Sequence, residues 1–143
     1  GLKIATVESC TGGLVAGALT GVAGSSDVVD RGFVTYTDEA KSDHAGVPPE
    51  LFNQFGAVSE EVARAMAEGG IIHSNADIAV GITGVAGPGG GSAEKPVGLV
   101  HIAAARNGGD TLHERNVFSG DRTGVRLASV RKALAMMQQL AET

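Results

Sequence analysis

Leu2-Lys3-Ile4-Ala5-Thr6-Val7-Glu8 is followed at once by Ser9-Cys10-Thr11-Gly12-Gly13, and then by Leu14 to Val22 without a single charged residue. The first run is short and rich in β-branched side chains, which predicts a strand. Gly12 and Gly13 predict a tight turn. The small and apolar residues of 14–22 predict a buried helix packed closely against a sheet, stopped by Gly24-Ser25-Ser26. A strand that turns directly into such a helix belongs to the α/β class.

Further along the chain the same alternation continues. Val28 to Tyr36 reads as a second strand interrupted near its middle by Arg31 and Gly32, and Asp38 to His44 as a short polar helix. Pro48-Pro49 starts another short helix carrying Leu51, Phe52 and Phe55, since proline suits a first helical turn. Ser59 can cap a clearer helix with an apolar stripe of Val62, Ala63, Met66 and Ala67. Asp77 to Thr83 is almost wholly apolar, as expected of a strand buried on both faces. Val97 to Arg106 and Thr111 to Phe118 flank Asn107-Gly108-Gly109 and predict a hairpin. Arg122 to Leu140 is an amphipathic helix. This order predicts one three-layer α/β/α domain over 1–143, with a mixed, partly antiparallel sheet.

Composition narrows the function classes. The chain has 143 residues, a net charge of -5, no Trp and one Tyr. It therefore lacks both the basic surface and the stacking platforms expected of a nucleic-acid binder. Cys10 is the only cysteine, which excludes an internal disulfide and a thiolate metal cluster. Neither a signal peptide nor a long apolar run is present, so the expected setting is cytoplasmic, with no membrane partner. Self-association into a homo-oligomer stays open.

Chemistry concentrates in three polar segments: Glu8 to Gly13, Tyr36 to Lys41 and Thr83 to Ser92. Two follow the C-terminal ends of strands, where open α/β sheets hold ligands. Ser9 lies at a strand-to-helix turn whose free N–H groups suit a nucleophile and its oxyanion; Ser9 or Thr11 would equally serve as a helix cap. Glu8 either holds the turn or orients a substrate. Cys10 is a rival nucleophile, although neighbours on a strand point to opposite faces, so both should not face one cleft. None of His44, His73, His101 and His113 has a triad context. Lys41 is the alternative base, provided burial makes its neutral amine available, with Tyr36 to relay the proton or orient the amine. Against this stands a solvated Lys41 paired with Asp38. The glycine loop after Thr83 invites a phosphate, yet it lacks the Gly-Lys-Ser/Thr ending of a Walker loop and opens no Rossmann helix. Arg122 and Arg126, one helical turn apart, are either a phosphate clamp or a solvated face.

Taken together, Glu8-Ser9-Cys10-Thr11-Gly12-Gly13, the segment from Tyr36 to Lys41, Thr83-Gly84-Val85-Ala86-Gly87-Pro88-Gly89-Gly90, and Phe118-Ser119-Gly120-Asp121-Arg122 with Arg126 resemble the four signature blocks of CinA C-terminal domains. The resemblance spans essentially the whole chain. It implies deamidation of nicotinamide mononucleotide to nicotinic acid mononucleotide and ammonia, in pyridine-nucleotide recycling, without metal or organic cofactor. It further implies Ser9 as nucleophile, Lys41 as general base and Tyr36 as its partner. Substrate contacts are implied for Glu8, Thr11 and Gly12, for Thr83, Gly84, Ala86, Gly87, Gly89 and Gly90, and for Arg122 or Arg126. Thr37-Asp38 departs from the family pattern of a small polar residue and Asn, which bears on substrate contacts more than on catalysis. A binding module for a pyridine nucleotide, or an interaction module without turnover, is the alternative.

Overall fold

The computed structural model describes residues 1–143. Strands β1 (Ile4–Glu8), β2 (Val29–Val34), β3 (Ile78–Gly84), β4 (Leu99–Arg106) and β5 (Thr111–Val117) form one sheet in the order β2-β1-β3-β4-β5. β1 is parallel to β2 and β3, and β4 is antiparallel to both its neighbours. The mixed sheet expected from the sequence is thus present, with the hairpin confined to the β4–β5 edge. The interruption expected at Arg31 appears as a register shift: Ile4 pairs with Val29 but Ala5 with Arg31.

Helices cover both faces. α4 (Glu60–Ile72) lies across one, backed by α2 (Asp38–Ala45) and α3 (Pro49–Phe55), while α1 (Leu14–Thr20) and α5 (Arg122–Ala141) cover the other. The two sides are packed differently, for a reason visible in the alternation of β3. Ile78, Val80 and Ile82 point towards α5 and join Val125, Val130, Met136, Met137 and Leu140 in the main core. The opposite side of the sheet carries alanines, with Ala103 and Ala105 meeting Ala63 and Ala67 of α4. A Cβ at Gly81 would lie 2.6 Å from Ala63 O and Ala67 N. The glycine therefore lets α4 settle almost onto the backbone of the sheet.

Two expectations need correction. α1 is not a buried helix: only Val15 is fully buried, and Val22 just beyond it is 65% exposed. Its seven residues make barely two turns at the β2 edge of the sheet, so Val15 alone is fully buried, Leu19 packs partly against the core, and Leu14, Gly17, Ala18 and Thr20 face outward. The second strand ends at Val34, before Tyr36, whose backbone belongs to the loop entering α2.

Candidate active site

β1 delivers its last residue, Glu8, into the interior, and the chain then reverses over five residues. Gly12 (φ 58) and Gly13 (φ 101) hold the left-handed conformations of that turn, which side chains with a Cβ adopt at a cost. Gly12 N–H donates to Ser9 O at 3.0 Å, and Leu14 N–H to Thr11 O at 3.0 Å. Inside the turn the Glu8 carboxylate accepts from Thr11 Oγ1 (2.7 Å), Val15 N–H (2.9 Å) and Ala16 N–H (3.1 Å). The charge thus sits on the free N–H groups of a helix N-terminus. Glu8 and Thr11 are buried and bonded within the turn, which for Glu8 is the turn-holding role that the sequence offered beside a contact with substrate.

Ser9 is left with its hydroxyl 3.3 Å from Lys41 Nζ. Lys41 comes from α2, whose start is fixed by Thr37 Oγ1 accepting from Ala40 N–H. Only 2% of Lys41 is exposed, and no carboxylate oxygen lies within ion-pair distance of its amine. The solvated Lys41–Asp38 pair is therefore absent. Burial lowers the Lys41 pKa from its ordinary value, with the charges of Asp38 and Cys10 opposing. Lys41 also donates to the carbonyl of Tyr36 at 3.2 Å. Tyr36 thus orients the amine through its backbone rather than its ring. Its phenol is exposed and accepts from Arg122 Nη2 at 3.3 Å, so of the two roles expected for Tyr36 its contacts match orienting the amine.

Cys10 points elsewhere. It lies in the core cluster beside Val15 and Val80, and burial pushes its thiol up to about 11, so at neutral pH it is a protonated packing residue. The reason differs from the expected alternation along a strand, because β1 has already ended at Glu8.

The third segment leaves β3 beside β1, at the same end of the sheet as Ser9. Thr83 is buried and its hydroxyl donates to Ala57 O at 2.9 Å. Gly84 fits against Leu99 and Val100, where a Cβ would approach to 2.7 Å. Ala86 belongs to the core, so its side chain packs inward rather than forming part of an open loop. Gly87 and Gly90 have positive φ, and Gly89 faces open space. Arg122 Nη1 donates to Gly87 O at 2.8 Å, so this arginine ties the glycine loop to Tyr36. A cavity of about 400 Å³ beside it is lined by Ala86, Pro88, Val97, Asp121 and Arg122, among others. Arg126 faces the Ser9 turn instead, donating from Nε to Cys10 O (3.1 Å) and from Nη2 to Thr11 O (3.3 Å).

No histidine reaches Ser9. His101 and His113 bond to each other at 2.9 Å, His44 stacks on Phe33, and His73 lies by Gly46. Two positioning residues escaped the sequence reading. Thr37 carried a legible signal, a Thr followed by two acidic residues at a helix start. Lys95, whose Nζ donates to Phe55 O at 2.6 Å and pins the glycine loop to α3, carried none.

Comparison with known proteins gives a consistent picture. The family of CinA C-terminal domains matches residues 1–141. A CinA-like protein of Akkermansia muciniphila is 51% identical over 134 residues, 94% of this chain and 32% of that protein. The chain thus spans about a third of the length of the first curated relatives it matches. Escherichia coli has a relative named nicotinamide-nucleotide amidohydrolase PncC, 50% identical over 139 residues, which cover 97% of this chain and 84% of that one. The crystal structure of the competence/damage inducible protein CihA from Agrobacterium tumefaciens superposes with a TM-score of 0.97 at 57% identity, over 99% of this chain and 86% of that one.

Proposed function

Because this chain belongs to the CinA C-terminal domain family, we propose that it hydrolyses the carboxamide of nicotinamide mononucleotide, with Ser9 as nucleophile and Lys41 as base. The observation that carries the reading is a buried amine 3.3 Å from a serine hydroxyl at a strand-to-helix turn. A module that only bound nucleotides would have no use for a lysine held out of water beside a serine. Relatives of about 50% identity carry the name nicotinamide-nucleotide amidohydrolase.

In the proposed reaction the neutral Lys41 amine takes the Ser9 proton as Oγ attacks the carboxamide carbon. The tetrahedral oxyanion is held by backbone N–H groups of the turn; those of Cys10 and Thr11 have no acceptor within the chain. Lys41 returns the proton to the nitrogen, the C–N bond breaks and ammonia leaves. Water, deprotonated by the same amine, then opens the Ser9 ester to release the carboxylate. One water is consumed per ammonia, and no step calls for a metal. Arg122 and the loop from Gly84 to Gly90 would hold the nucleotide, and residues 1–143 would act as one domain on a cytoplasmic nucleotide pool. No helix is long and apolar enough to cross a membrane.

Purified protein should release ammonia from nicotinamide mononucleotide, keep doing so in EDTA, and turn over free nicotinamide far more slowly, because remote phosphate binding positions the amide. Nucleotide binding by calorimetry with no ammonia would replace the amidase by a binding module.

A further inference from the structure

Arg126 has no carboxylate partner, and two of its donors are committed to consecutive carbonyls of the nucleophile turn. A helix-face arginine placed for a phosphate would instead have its fork turned outward. Resting on the amidase reading above, we propose that Arg126 is a positioning residue, which sets the peptide planes after Ser9 so that their N–H groups serve the oxyanion.

In a trans peptide the N–H lies antiparallel to the C=O. Holding Cys10 O towards α5 therefore turns the Thr11 N–H away from the guanidinium, and this N–H has no acceptor in the chain. Holding Thr11 O does the same for the Gly12 N–H, which closes the turn by donating to Ser9 O. That bond in turn fixes the Ser9–Cys10 peptide, whose own N–H is unpaired. One guanidinium thus controls three successive peptides: two present free donors, and the third locks them. Glu8 anchors the same turn from beneath through Thr11 Oγ1 and the first N–H groups of α1, so the turn is held from both sides. The fit is close, since a Cβ at Gly12 would come within 3.3 Å of Arg126 Nη2. A lysine could not reproduce it, having a point charge in place of a planar fork.

The test compares Arg126→Met, Arg126→Lys and the exposed control Arg131→Met, using ammonia release from nicotinamide mononucleotide and amide hydrogen exchange of residues 10–13. Loss of an oxyanion donor lowers kcat by about 10²-fold. Arg126→Met should therefore lose about that factor in kcat with KM little changed, while its turn amides exchange faster. Arg126→Lys should recover only part of kcat, and Arg131→Met should match the parent. A raised KM with kcat retained would make Arg126 a substrate anchor and overturn the proposal, as would unchanged kcat in Arg126→Met. If the parent protein releases no ammonia, the amidase reading falls. The exchange data then decide the clamp alone: faster exchange in Arg126→Met upholds it, and unaltered exchange refutes it.

Discussion

Replacing Lys41 by methionine should make the protein more stable and almost inactive. The amine is 2% exposed with no carboxylate in reach, and its two partners, Ser9 Oγ at 3.3 Å and Tyr36 O at 3.2 Å, are neutral and at the long end of hydrogen bonding. Two such bonds contribute about 1 kcal/mol each, whereas withdrawing an ammonium from water costs several kcal/mol. Methionine keeps most of the stem and removes that cost, at the expense of leaving Tyr36 O without its donor. A net gain of about 0.5–2 kcal/mol follows, within the range of single stabilising changes. Its pH dependence has a definite sign. The folded pKa lies below the unfolded value, so between the two the unfolded chain binds a proton that the native chain does not, and parent stability rises with pH. The advantage of Lys41→Met is therefore full below the folded pKa and fades as pH climbs towards the ordinary lysine value of 10.5. Loss of the base should lower kcat by about 10²–10⁴-fold, and Lys41→Arg should be equally poor because guanidinium stays protonated. Urea midpoints from pH 7 to 10 and ammonia release measure both. A Lys41→Met protein that is less stable than the parent, or that still turns over, would refute the reasoning.

Three further outcomes can be checked. Ser9→Ala should abolish ammonia release while retaining nucleotide binding, and Cys10→Ala should keep turnover with only a packing loss; the reverse pattern would make this a cysteine amidase. Glu8→Gln should destabilise by about 2–4 kcal/mol, because its amide NH₂ cannot accept and orphans a buried donor among Thr11, Val15 and Ala16; a urea midpoint within error of the parent would show that the carboxylate does not hold the turn. His101, lowered to about 4 by burial and by the charge of His113, leaves the native chain one proton short of the unfolded chain between about pH 4 and 6.5. Parent stability should accordingly fall as pH drops through that window, less steeply in His101→Gln, and equal slopes would contradict this.

The layers of the fold were legible where periodicity alone decides them. β3 is apolar on both faces because helices cover both, and Ser59 starts α4 because its hydroxyl accepts from Val62 N–H. The exposure of α1 has a physical source: an absence of charge permits burial but does not impose it, because the depth of a helix depends on which strands lie beneath it, and here these form the β2 edge of the sheet. Likewise the register of Thr83 opposite His101 brings together residues that no spacing along the chain relates.

At the site, the residues of the four blocks could be singled out, but not the atoms through which they act. Four of the decisive contacts end on backbone carbonyls: Lys41 on Tyr36 O, Arg122 on Gly87 O, and Arg126 on Cys10 O and Thr11 O. A carbonyl is present at every position, so side-chain identity carries no record of which one is used. Tyr36 illustrates the consequence, since its phenol invites a proton-relay role while its backbone meets the amine. The two arginines illustrate it again: they lie one turn apart on a single helix, yet one braces the glycine loop and the other the Ser9 turn. A difference of four residues along α5 separates them because the loop and the turn leave neighbouring strands, β3 and β1, at the same end of the sheet. The division of contacts between Arg122 and Arg126 is therefore a property of the parallel β1–β3 pairing, and any substitution that shifted that register would disturb the glycine loop and the Ser9 turn together.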